Sequence, residues 1–136
     1  MKKELSDELR SIAPCLFTAE EGHSFQTFGF EVEDGWFELL KELALKVEPE
    51  IASLPEEKRN KVRCLQVKEK LGGLRFYLAG GKNLTPEAAA AFDEAEAKSY
   101  VTCQECGKKG RRRSLGGYLC VLCVPCYAGA KRRRSY

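Results

Sequence analysis

Of the seven cysteines in this 136-residue chain, five fall in the last third, as Cys103-Gln-Glu-Cys106-Gly107 and Leu119-Cys120-Val-Leu-Cys123-Val-Pro-Cys126-Tyr127. One Cys-x-x-Cys turn presents two thiolates on the same side of a cation while its backbone amides point at the sulfurs. Two such turns complete the tetrahedron that a d¹⁰ ion such as Zn²⁺ takes. The 16 residues between Cys106 and Cys123 fall within the roughly 15 to 20 that separate the two halves of such a site. The spacing therefore predicts a structural four-cysteine zinc ribbon with Cys103, Cys106, Cys123 and Cys126 as ligands.

Cys120 competes for the same role, because Cys120 and Cys123 also form a Cys-x-x-Cys pair, with 13 residues back to Cys106. Loop length alone does not choose. The run Gly117 to Leu122 reads as a strand leading into the metal turn, and Pro125 suits a tight turn between Cys123 and Cys126. In the other register Val121 and Leu122 would have to make that turn, which branched apolar side chains do poorly. The chemistry favours Cys123 and Cys126.

Disulfides are the competing use of clustered cysteines. Seven is odd, and Met1-Lys2-Lys3 is followed by Glu4, Asp7 and Glu8 where an export signal needs an apolar run. The most apolar stretch, Leu119 to Ala130, is too short to span a bilayer and contains Pro125. A cytoplasmic protein with no membrane contact is expected, with Cys15 and Cys64 buried as small hydrophobes.

The formal charge of +3 conceals an asymmetry: residues 1–100 carry 14 Lys/Arg and 19 Asp/Glu, residues 101–136 carry 9 and 1. A body of −5 thus precedes a third of +8, reduced to about +6 by four thiolates and one Zn²⁺. Arg111, Arg112 and Arg113 lie inside the ribbon loop, and Lys131, Arg132, Arg133 and Arg134 close the chain. Such runs track phosphates or meet acidic protein surface.

The elements that must position this unit read as follows. Short strands fit Phe25 to Val32. Asp34 is placed to cap a helix whose apolar stripe is Trp36, Leu39, Leu40, Leu43 and Val47, ending at Pro49. A helical turn fits Pro55 to Lys61. Val62 to Ala79 reads as a hairpin turning at Gly72-Gly73, with Leu71 opposite Leu74, Glu69 opposite Phe76 and Val67 opposite Leu78. Leu65 joins that core face, and the other face carries Lys68, Lys70, Arg75 and Tyr77. Thr85 and Pro86 start a helix, with Ala88, Phe92, Ala95 and Ser99 inward, that delivers the chain to Cys103. The expected fold is α+β: a small antiparallel sheet, two main helices on one face, and the C-terminal ribbon. The expected organisation is a body at 1–100, a zinc ribbon packed on it at 101–128 and a basic tail at 129–136.

Asp34-Gly-Trp-Phe37, Val67-Lys-Glu-Lys-Leu-Gly-Gly-Leu-Arg-Phe-Tyr77, Cys103-Gln-Glu-Cys-Gly107 and Leu122-Cys-Val-Pro-Cys126 resemble a group of small phage and prophage zinc-ribbon proteins. The resemblance covers roughly residues 30–127. It implies a phage-related origin and a location inside a bacterial host cell, and nothing about mechanism. In that group the last ligand is often histidine, so Cys126 changes the ligand set without changing the site.

Enzymatic chemistry lacks its usual parts. His23 is the only histidine, set in a Gly-His-Ser loop, and Gly72-Gly73 and Gly116-Gly117 read as turn pairs, not as a phosphate-cradling motif. Glu31, Glu33 and Asp34 could hold Mg²⁺ only as acids near a helix start, a commonplace arrangement. The expected role is a binding module without a small-molecule substrate. Its partner would be nucleic acid or a nucleic-acid-handling complex gripped by the basic ribbon and tail. The alternative is an acidic host protein, such as a defence factor, inhibited by contact.

Overall fold

The computed structural model describes residues 1–134, and Ser135 and Tyr136 at the end of the expected tail lie outside them. The fold is α+β. Helix α1 (Lys3–Ile12) leads to a short α2 (Ser24–Phe28), and β1 (Phe30–Glu31) follows. A 3₁₀ turn at Asp34–Trp36 enters α3 (Phe37–Ala52), succeeded by α4 (Glu56–Arg59) and the hairpin β2 (Arg63–Lys70) and β3 (Gly73–Ala79). Helix α5 (Pro86–Ser99) then brings the chain to a second hairpin, β4 (Arg111–Leu115) and β5 (Tyr118–Leu122), and a terminal helix α6 (Val124–Arg134). Among the described residues no helix is long and apolar enough to cross a membrane.

The body sheet has the order β1-β2-β3, parallel between β1 and β2 and antiparallel in the hairpin. Its core face meets a cluster of rings. Phe17 lies edge-on to Phe30, Phe25 edge-on to Phe30, and Phe76 edge-on to Phe92 of α5. The Arg10 guanidinium covers Phe25 at 4.6 Å, so α1 closes this core with a cation over an aromatic face. Helix α3 packs on α5 and α1, and its Leu40, Leu43 and Val47 are all buried.

Two expected signals sit where the sequence places them. The Thr85 hydroxyl accepts from the Ala88 amide at 3.3 Å with Pro86 at the first helical position. The inward stripe of α5 is Ala88, Ala91, Ala95 and Ser99, with Phe92 partly buried beside it.

Other expectations are corrected. The stretch from Phe25 to Val32 gives a helix and only a two-residue strand. Asp34 does not cap α3; its carboxylate accepts from the Lys2 amide at 2.8 Å, tying down the N-terminus. Pro49 lies inside α3, not at its end. The carbonyl that its missing N–H would have satisfied belongs to Leu45, whose side chain is exposed, and buried Ile51 holds the last turn to the core.

The hairpin turns at Leu71-Gly72, with φ of 56° and 85° at the two positions. Lys70 faces Gly73, Glu69 faces Leu74 and Val67 faces Phe76. Each partner is two residues from the expected one. Because side chains alternate with period two, the same residues stay on the core face. A bulge between Cys64 and Gln66 then places Cys64, fully buried, in the core in place of Leu65. Burial pushes the Cys64 thiol up to about 12, so it behaves as a neutral hydrophobe.

Candidate metal centre

The metal unit is built on a hairpin with a helix laid across it. Arg113, Leu115, Cys120 and Leu122 alternate onto the hairpin face that α6 covers, packing with Tyr127 and Ala130. On the opposite face Val121 is fully buried, because this side meets the tip of the body hairpin.

Two short turns present the sulfurs. In the first, the Gly107 amide donates to the Cys103 carbonyl at 2.9 Å, with φ of 81° at Gly107, and the Cys103 amide donates to the Lys108 carbonyl at 2.7 Å. The left-handed glycine folds the chain back so that both thiols face inward. In the second, Cys123-Val-Pro-Cys126 forms no free-standing turn. It opens α6, with the Tyr127 amide on the Cys123 carbonyl at 2.9 Å and Pro125 in the first turn, where its missing N–H costs nothing.

The sulfurs of Cys103, Cys106, Cys123 and Cys126 all lie within 4.8 Å of one another. Cys106 and Cys123 are 3.6 Å apart, against about 3.8 Å between thiolates at ~2.3 Å from a tetrahedral Zn²⁺. The electrostatics also fit. The Cys126 backbone amide beside Cys123 lowers that thiol to about 7, while burial and the neighbouring sulfurs push Cys126 upward. Four thiolates so close repel one another unless a cation is held among them. A structural Zn²⁺ suits this donor set.

Cys120 stands outside the cluster, its thiol directed to the Arg113 carbonyl at 3.7 Å and its pKa raised by burial. His23 is exposed at the start of α2 and brings nothing to the centre.

A residue with no sequence signal fixes the centre to the body. Gln104, between the first two cysteines, is buried. Its amide donates to the Val121 carbonyl at 2.9 Å, its side-chain oxygen accepts from the Val121 amide at 2.6 Å, and its carbonyl accepts from Gly35 at 2.8 Å. Trp36, fully buried, donates from Nε1 to the Thr102 carbonyl at 2.9 Å. The Asp-Gly-Trp segment thus serves as the seat of the metal unit.

The basic residues divide into two groups. Arg113 is half-buried, donating to the Leu122 carbonyl at 2.9 Å with its guanidinium over Tyr127. Lys131, Arg132, Arg133 and Arg134, expected as a tail, form the last turn of α6. Arg133 pairs with Glu105 at 3.1 Å, Arg134 lies against Gly116 at the hairpin tip, and Lys131 lies over Tyr127. Arg111 and Arg112 remain exposed on β4. On the body hairpin, Lys68, Lys70, Arg75 and Tyr77 share the outer face as expected.

No protein-family model, curated protein or solved structure matches the chain at a significant level. The class that fold and site define is an α+β protein with a C-terminal zinc-ribbon-like module.

Proposed function

We propose that this chain is a phage-related, zinc-stabilised accessory protein of the bacterial cytoplasm. In this reading it is a binding module that grips nucleic acid or a nucleic-acid-handling complex. The supporting observation is the charge distribution: nine cations against one acid in residues 101–136, carried on a metal-binding turn, a hairpin and a helix that a single metal centre can lock together. The metal is structural here, because four cysteines leave no coordination position for water or substrate. The phage-related part rests on the sequence resemblance.

A second reading has its own observation. Tyr118 is 73% exposed and Val124 68% exposed on the same unit, and apolar side chains so placed suit a protein partner better than a phosphate backbone. In that case the protein inhibits a host or defence factor without touching nucleic acid.

Affinity capture from host lysate with and without nuclease separates the two. Partners lost on nuclease treatment, together with direct oligonucleotide binding that weakens steeply between about 50 and 200 mM salt, support the first. Nuclease-resistant partners and no oligonucleotide binding support the second.

A further inference from the structure

We infer that the outer face of the body hairpin and the first ribbon strand form one continuous surface for single-stranded nucleic acid, with Tyr77 as the base-stacking platform. This rests on the nucleic-acid reading above and specifies its ligand and its site.

The two basic stretches are separated in sequence and joined in space by Tyr100. Its ring packs directly on Gly73, where any Cβ would collide with it. Its hydroxyl accepts from Arg75 at 3.1 Å, and the Arg112 guanidinium stacks over the ring at 5.0 Å. The Arg112 side chain also runs against Gly72 at the hairpin tip. Arg75 of the body and Arg112 of the ribbon are therefore held on the same tyrosine.

The charges on this face are only partly balanced within the sheet: Glu31 of β1 neighbours Lys68 in register but accepts from Gln66 at 3.2 Å. Lys68 sits directly opposite Arg75 across the hairpin, a pairing of like charges that costs stability in a sheet. Arg75 is balanced by Glu96 at 3.5 Å. Lys68, Lys70 and Arg112 have no carboxylate partner among the described residues. The nearest acid in the hairpin, Glu69, points to the core side and accepts from the Gly72 amide at 2.9 Å. An anion that spans Lys68, Lys70 and Arg112 supplies the missing counter-charge.

Tyr77 decides which anion. It projects from the same face, 43% exposed, opposite Gln66 and diagonal to Lys68. A sheet face with an open aromatic ring beside a row of cations accepts an unstacked base while the cations follow the backbone. A duplex keeps its bases stacked inside and gives Tyr77 nothing to hold.

The test uses the zinc-loaded full chain and fluorescent oligothymidine or oligouridine of about 20 nucleotides, longer than typical single-strand sites of ~4–16, beside a duplex of equal length. Binding is read by anisotropy. Wild type is expected to prefer the single strand. Tyr77→Ala should weaken single-strand binding by roughly 5-fold to 100-fold, leaving duplex binding, zinc content and melting unchanged. Lys68→Gln should weaken it less and reduce the salt slope by about one. Wild type without single-strand preference overturns the inference. So does a Tyr77→Ala chain that binds within about two-fold of wild type while Arg111→Ser/Arg112→Ser loses binding, although the broader nucleic-acid reading then stands. No oligonucleotide binding at all defeats both.

Discussion

The Gly35 amide donates to the Gln104 carbonyl at 2.8 Å, and a Cβ on Gly35 would overlap the backbone of Cys103 and Gln104. A body turn and a metal-binding turn thus meet backbone to backbone. No yielding side chain separates them.

Gly35→Ala is accordingly expected to destabilise the protein by about 1–3 kcal/mol, the usual cost of forcing an extra carbon into a packed contact. Denaturant midpoints measure it. A variant as stable as wild type would show that the contact gives way easily.

The metal assignment makes a three-way prediction. Cys120→Ser should retain one Zn²⁺ per chain, since its thiol faces the Arg113 carbonyl and not the cluster. Cys123→Ser and Cys126→Ser should each lower zinc affinity and melting temperature, because metal binding and folding are coupled at on the order of 10 kcal/mol in small zinc modules. Zinc content and thermal unfolding of the three variants provide the readout, and zinc lost from the Cys120 variant alone would reverse the assignment.

Leu71 is the one non-glycine residue with positive φ among those described, at 56°, and its side chain is exposed. The two-residue turn it shares with Gly72 is the geometry in which Asn-Gly excels. Leu71→Asn should stabilise the fold by about 1 kcal/mol, relieving a left-handed branched residue without removing a core contact. A lowered denaturation midpoint would mean that Leu71 packs more than its exposure indicates.

Glu33 is an exposed residue near Glu105, and partial desolvation of its carboxyl first, then the Glu105 charge, raises its pKa above the ordinary 4.5. Folding therefore holds its proton more tightly than the unfolded chain does, and the ionised form costs stability at neutral pH. Glu33→Gln should be more stable than wild type at pH 7. That advantage should vanish as pH falls through the folded pKa and below 4.5, which parallel unfolding curves across this range test. An advantage independent of pH would place its origin in packing.

Local signals were legible where the chemistry is local. Thr85-Pro86 declared a helix start, the hydrophobic stripe from Trp36 to Val47 declared α3, and paired Cys-x-x-Cys turns declared the metal centre, because each depends on residues within one or two turns. Alternation along Val67 to Phe76 even preserved the core face when the register moved. The α1 helix was missed although Leu5, Leu9 and Ile12 recur at helical spacing and pack on the core, because that stripe is only three residues long in an otherwise charged and polar segment.

Tertiary contacts decided the rest. Two adjacent glycines read as a turn, yet only Gly72 serves the turn; Gly73 is glycine because Tyr100 rests on it. The two basic runs read alike, yet Arg133 is spent on Glu105 and Arg113 on the Leu122 carbonyl, while Arg112 reaches the body through Tyr100. A sequence specifies which groups can turn, cap or ligate. Which of two equivalent groups does so depends on what packs against it, and that neighbour lies beyond the local turn that the group itself belongs to.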